Sequence, residues 1–295
     1  MFSRKEDVVL ETESKYNQAS AKAPDMKSFD SFSETNLKDY WDRAARTIRS
    51  YHDAPSTRIY LEQEKKLIAD FFTPLKEKAF LKTDLWNEAK NTKILFWVRA
   101  QGAKTFGMDI SPAVVQGALG QNPNGTAGHF HSVADLRRLP FADDSFEAIY
   151  SMGTMEHFPE YEAALREIHR VLKPQGKAII GVPNKFDPFL RPAQVALLQS
   201  LGLYLFGYEK SFSKSNLTSL LNKAGFKIVA QSSLLFMPGI LRIMDLCFYT
   251  HAKPLLTLSW LLLKPFAFLY NRSPLFRRHG YLLAFVVEKS GSKWS

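Results

Sequence analysis

Apolar positions change their period along this chain, and each change marks an element. Residues up to about Ser33 are polar and aperiodic, which predicts a flexible N-terminal arm over 1–35. From Asn36 the spacing turns helical. NLKDYWDRAARTIRSYH and IYLEQEKKLIADFF each gather apolar and aromatic residues on one face, with Ala54-Pro55-Ser56 as the break between them. Two cap helices over 36–78 are therefore expected ahead of the main sheet. Short apolar runs then alternate with helical segments, the pattern of a parallel sheet with crossover helices. Strands are expected at 79–84, 104–109, 130–133, 146–151 and 177–182, with helices between them. A helix in SKSNLTSLLNKAGF stops at Gly225, a further strand starts at Phe226, and GYLLAFVVEK supplies the last.

Residues 234–280 break this rhythm. FMPGILRIMDLCFY and PLLTLSWLLLKPFAFLYN hold more Leu, Phe and Trp than a solvent-facing helix should. Lys264-Pro265 interrupts the longer run, which falls short of the roughly 20 apolar residues of a membrane span. Three readings stand: a lid over an apolar pocket, an interfacial membrane helix, or a homodimer surface. The main domain is then expected to comprise 79–233 and 281–290, with 234–280 as an insertion.

Composition narrows the partners. Of 295 residues, 45% are hydrophobic and 23% charged, enough for a core without wholesale disorder. The net charge of +10 favours anionic partners. Much of the excess lies late in the chain, where Arg242, Lys253, Lys264, Arg272, Arg277, Arg278 and Lys289 are interleaved with apolar stretches. That mixture suits a membrane surface better than a nucleic-acid groove, so nucleic acid is not expected. The single cysteine, Cys247, excludes an intramolecular disulfide and a cysteine-based zinc cluster, and no other metal-ligand cluster stands out. MFSRKEDVVLETESK lacks the apolar run of a secretory signal, so the expected location is the cytoplasm, free or at the membrane surface.

Candidate chemistry begins with TFGMDIS, a strand that ends in Asp109. A carboxylate at the carboxyl end of a strand in an open α/β sheet can accept hydrogen bonds from both hydroxyls of a ribose. Asp before Ser is also a common helix cap, and nicotinamide-dependent enzymes place an acid similarly. The stretch VADLRRLPFADDSFEAIYSMGTMEHFPEYEAALREIHRVLKPQGKAIIGVPN decides between these. It holds an Asp four residues before Leu-Pro-Phe, a Phe-acid pair opening a strand, Glu-His after that strand, and Arg-Val-Leu-Lys-Pro before the next. In this order the motifs resemble the class I S-adenosylmethionine-dependent methyltransferases, in particular the quinone and small-molecule subgroup.

The resemblance implies an α/β fold: a Rossmann-like, seven-stranded, mostly parallel sheet with helices on both faces and an antiparallel last strand. It implies S-adenosyl-L-methionine as cofactor and a small-molecule or lipid acceptor methylated by direct in-line transfer. Asp109, with Ile110 beside it, would hold the ribose; Asp135 and Leu136 would meet the adenine. Ser151 and Met152 would line the methyl-donor side. Glu156 and His157 would face the acceptor, with His157 as general base. By the same analogy Tyr40, Trp41 or Tyr60 would close over the cofactor.

One departure stands out. Family members follow the first strand with a glycine-rich loop, whereas FLKTDLWNEAKNTK has no glycine. Either Asp84 or Lys82 ends that strand. Trp86, Glu88 and Lys90 would replace glycines, and Thr83, Asp84 and Asn87 would contact the amino-acid end of the cofactor by side chains. The alternative is a catalytically inactive module that kept the fold as an assembly or regulatory partner.

Overall fold

The computed structural model describes residues 34–121 and 129–290; the arm expected over 1–35 lies, apart from Glu34 and Thr35, outside the described residues. Apolar runs that alternate in period two send successive side chains to opposite faces of a strand. Here they do so in a sheet covered on both sides: Phe80, Tyr150, Ile179 and Ala284 enter one core, while Leu81, Ile149, Ile180 and Leu283 enter the other. The seven strands are β1 (Ala79–Lys82), β2 (Lys104–Asp109), β3 (His129–Val133), β4 (Phe146–Met152), β5 (Leu172–Pro183), β6 (Phe226–Leu234) and β7 (Leu282–Lys289). Their order is β3-β2-β1-β4-β5-β7-β6. β1 to β5 pair in parallel, and β7 runs antiparallel to both of its neighbours.

The first core is covered by α2 (Pro55–Phe72), α4 (Ile94–Ala100) and α5 (Pro112–Gly120), the second by α6 (Tyr161–Val171) and α8 (Lys214–Lys223). α1 (Glu34–Thr47) precedes these in the chain, and α3 (Trp86–Lys90) and α7 (Arg191–Ser200) lie between them. The insertion forms α9 (Gly239–His251) and α10 (Leu256–Arg272), both of which pack on α2.

Three boundaries differ from expectation. β1 stops at Lys82, not Asp84, because the next residues turn into α3. The Lys-Pro-Gln-Gly turn is absorbed into β5 as an irregularity: the register with β4 shifts between Phe146 and Ala148, and Gln175 takes a positive φ of 64°. Pro265 lies inside a continuous α10 rather than ending it. The missing hydrogen bond is tolerated there because Leu263 is buried, and Trp260 and Phe266 pack against the core from the same helix.

Candidate active site

The switch point of the sheet, where the chain order reverses between β1 and β4, is where open α/β folds bind ligands. A cavity of about 270 Å³ opens there. It collects Thr83, Asp84, Asn87, Asp109, Ile110, Asp135, Leu136, Met152, Glu156 and His157. Ser151 is buried and does not line it.

Asp109 ends β2, and its two oxygens accept from Leu85 N–H (3.0 Å) and Ser111 N–H (2.9 Å). Burial is the main reason that its pKa rises to about 7, against the lowering effect of those two N–H groups. Each oxygen retains a lone pair. Ser111 caps α5 through a bond from Val114 N–H (3.1 Å), so the cap role belongs to the serine and leaves Asp109 to the cavity. Asp135 is held by Arg137, whose Nη2 lies 2.6 Å from Oδ2.

The glycine-free stretch keeps close packing by another route. Leu85 fits over β2 because residue 107 is glycine: a Cβ there would sit 2.5 Å from Leu85 Cδ2. Beneath α3, the fully buried Lys82 pairs with Asp84 (2.9 Å) and Glu88 (3.1 Å) and donates to the Asp84 carbonyl (2.8 Å). Burial works against the Lys82 charge, but Asp84, Glu88 and Glu64 outweigh it and raise its pKa. Burial lifts Glu64 to about 7 despite Lys82, and Tyr150 Oη donates to it at 2.9 Å. In the cavity itself, Asp84 Oδ2 and Thr83 Oγ1 are buried without hydrogen-bond partners. Asn87 lies beside them, with its amide 3.5 Å from Tyr60 Oη.

His157 Nδ1 lies 2.7 Å from the Tyr208 carbonyl, which can only accept, so the proton sits on Nδ1 and Nε2 keeps a lone pair. Burial lowers its pKa, favouring the neutral ring. Glu156 is pushed well above the carboxylate range, first by burial and then by Glu209. Asp42 ties α1 down by accepting from Ala113 N–H (3.0 Å) and from the Ser111 hydroxyl. This sets Trp41 edge-on to His157 (centroids 4.8 Å apart) and to Trp86 (5.4 Å). Of the closing candidates, Trp41 and Tyr60 line the cavity; Tyr40 is packed away, donating to the Leu205 carbonyl at 2.7 Å.

The other half of the lining went unread in the sequence: Arg191, Tyr204, Phe206, Glu209, Arg242 and Tyr281. Arg242 was grouped with the lipid-facing cations. The structure corrects this, since it turns into the cavity and its Nη1 is buried. The only available signal was an arginine at helical spacing from Asp245 within an otherwise apolar run.

Sheet order and the acid at the end of β2 define a Rossmann-like methyltransferase fold. Residues 90–180 match the family model described as "Methyltransferase domain", a match that starts at Lys90, inside the glycine-free stretch. The chain is 37% identical over 82 residues to a demethylmenaquinone methyltransferase of Chlorobaculum parvum, covering 28% of this chain and 32% of that enzyme. It spans less than half the length of the first curated relatives it matches. A similar solved structure is a complex of the Haloferax volcanii Trm112 methyltransferase activator with a methyltransferase: TM-score 0.58, 21% identity, 87% of this chain and 99% of that one. Another is magnesium protoporphyrin IX methyltransferase from Synechocystis with bound SAH: TM-score 0.55, 13% identity, 87% and 99% covered. The chain therefore resembles the class I S-adenosylmethionine-dependent methyltransferases, in sequence over residues 90–180 and in fold over most of its length, and S-adenosylmethionine is the cofactor of that family.

Proposed function

We propose that this protein transfers a methyl group from S-adenosylmethionine to an apolar small-molecule or lipid-like acceptor held between His157 and the insertion helices. The observation that carries this reading is the set of unsatisfied acceptors in one cavity: Asp84 Oδ2, Thr83 Oγ1 and the spare lone pairs of Asp109. They fit the ammonium and ribose hydroxyls of the cofactor. When bound, the cofactor supplies a methyl carbon already activated by its sulfonium.

The chain's own work is then to bind, align and exclude water. Asp109 and Asp135 would fix the sugar and the base, with Leu136 and Ile110 against the ring. Asp84, Thr83 and Asn87 would hold the amino-acid end, a task that glycine-loop amides perform elsewhere in the family. Trp41 and Trp86 would wall off solvent. His157 Nε2 would take the proton from an acceptor hydroxyl, amine or activated carbon, and Glu156 would donate a hydrogen bond as a neutral acid. An intact set of acceptors argues against the inactive-module alternative.

The insertion supports a membrane-surface role over a homodimer. Ile240, Leu261, Phe268 and Leu275 are each at least 60% exposed, and Lys253, Lys264, Arg272 and Arg278 are exposed among them. Among the described residues no helix is long and apolar enough to cross a membrane. A cytoplasmic protein that takes its acceptor from the inner leaflet fits this surface.

Titration calorimetry with S-adenosylmethionine, SAH and NAD tests the reading. The first two should bind, raising the melting temperature by roughly 5–10 °C at a hundredfold excess over Kd. Binding of NAD alone, or of none of the three, would overturn it.

A further inference from the structure

The acceptor half of the cavity holds two arginines that the cofactor chemistry leaves unused. Arg242 projects from α9, with its guanidinium 5.7 Å from the Tyr60 ring centroid. Its buried Nη1 has no acceptor, and the residue makes no ion pair among the described residues. Asp245, nearly one turn further along the helix, spends Oδ2 on Ser56 N–H (2.8 Å) and does not line the cavity; its Oδ1 is buried without a partner, and its charge favours the Arg242 guanidinium through space without an ion pair. Arg191 opens α7 and stacks over Tyr281 at 4.8 Å and Tyr204 at 5.9 Å, also without an ion pair among the described residues.

Two carboxyls share this space, and neither forms an ion pair with the arginines among the described residues, although against the lowering effect of burial Tyr281, Tyr204 and Glu209 together raise the Arg191 pKa. Glu209 is occupied by two phenols: it accepts from Tyr281 Oη at 2.7 Å and from the Tyr204 hydroxyl. Glu156 makes no ion pair with either arginine among the described residues: its Oε1 lies 4.0 Å from His157 Nε2 and its Oε2 is unpartnered. Burial is the chief cause holding the Arg242 pKa below its ordinary value, and Arg191 adds to it. Both arginines are half-buried, and a buried guanidinium nitrogen without an acceptor, as at Arg242 Nη1, is unfavourable unless something else satisfies it; the planar fork matches a carboxylate or phosphate two bonds at a time. Around the two arginines the lining turns apolar, with Phe206, Leu235, Met237, Ile243 and Leu246.

We infer that the methyl acceptor carries an anionic group, carboxylate or phosphate, on an apolar body. The anion sits between Arg242 and Arg191, and the body lies against Met237, Ile243 and Leu246. This deepens the methyltransferase reading and rests on it for the word acceptor. Arg242 and Arg191 converge with Tyr204 and Tyr281 on the side of the cavity reached from α7, α9 and the start of β7. Asp109 and Asp135, the expected ribose and adenine residues, come from the other side.

The test uses the full chain saturated with SAH, titrated with dodecanoate, dodecyl phosphate, dodecanol and inorganic phosphate below micelle-forming concentrations. Fluorescence of Trp41 and Trp86 reports occupancy. Either anionic amphiphile should bind about 10-fold or more tightly than dodecanol, with inorganic phosphate far weaker. Arg242→Met should erase that preference, Arg242→Lys should keep part of it, and both should bind SAH within about twofold of the parent. The inference is overturned if alcohol and anions bind alike, if the preference survives in both Arg242→Met and Arg191→Met, or if inorganic phosphate competes as well as the amphiphiles. It is also overturned if Arg242→Met weakens SAH about 10-fold, which would give this arginine to the cofactor carboxylate. Selective anion binding by a protein that binds neither SAH nor S-adenosylmethionine would instead sink the methyltransferase reading and leave the anion site standing.

Discussion

Replacing Asp109 with Asn should make the protein more stable and less able to bind its cofactor, and the two effects should part with pH. The native carboxyl has a pKa of about 7, against an ordinary value of 3.8. A raised acid binds more protons folded than unfolded between those values, so stability falls as pH rises through that window and levels off above 7. At one pKa unit per 1.36 kcal/mol, holding the ionised group costs about 4 kcal/mol at pH 8. Asn removes that cost but leaves either Leu85 N–H or Ser111 N–H facing an amide NH₂, a loss of about 1–3 kcal/mol. The net is a gain of about 1–3 kcal/mol at pH 8, or roughly 2–6 °C in melting temperature, shrinking or reversing near pH 4. Calorimetry should also show SAH affinity falling about 10- to 100-fold, since one strong acceptor for the ribose is gone. In the parent, affinity should weaken below pH 7 as Asp109 takes up its proton. Differential scanning calorimetry at pH 4, 6 and 8 reads the first effect. If Asp109→Asn is destabilised equally at all three, the buried charge is not the source of strain and the assignment of Asp109 fails.

Lys82→Met should lower stability by about 3–5 kcal/mol in urea titrations, more at pH 8 than at pH 6, because Asp84, Glu88 and Glu64 lose their shared cation. His157→Gln should slow SAH release from reactions supplied with lipid extract by about 10²- to 10⁴-fold while leaving SAH affinity unchanged. In the parent that rate should rise with pH and plateau below the ordinary histidine pKa, as the ring becomes neutral. Gly181→Ala places a Cβ 1.9 Å from Met152 Sδ and so drives Met152 into the cavity; calorimetry should show weaker SAH binding, by about 1–3 kcal/mol. Unchanged affinity would mean that Met152 has room elsewhere.

The half of the cavity that holds Asp109 and Asp135 was legible because its signals are local. Asp109 ends a strand and precedes a helix, and Asp135 heads a short motif, so each could be placed within a few residues. The parallel sheet followed from the alternation of short apolar runs with helical segments, and the antiparallel last strand from the resemblance. The opposite half was not legible: Arg191, Glu209, Arg242 and Tyr281 come from separate segments and meet only when α7, α9 and the start of β7 converge. No period or spacing in one segment announces such a meeting. Lys82 was one of two candidates for the end of β1, and only the position of three acids around it settles why a lysine is tolerated there. Gly107 lies inside the quoted TFGMDIS motif, yet the missing loop glycines could be understood only after Leu85 was seen seated over it.

The substitution of a charged brace for a flexible loop changes what single mutations can do. A glycine at position 84 or 88 would strip one ligand from Lys82, and glycine at 82 would leave three acids facing one another; position 85 would lose the side chain that fills the notch above Gly107. A single change to glycine at any of these four positions therefore passes through a less stable protein. Lineages carrying this arrangement are held to it by their own foundation, and a designer wishing to restore the loop must exchange residues 82 to 88 and 107 together.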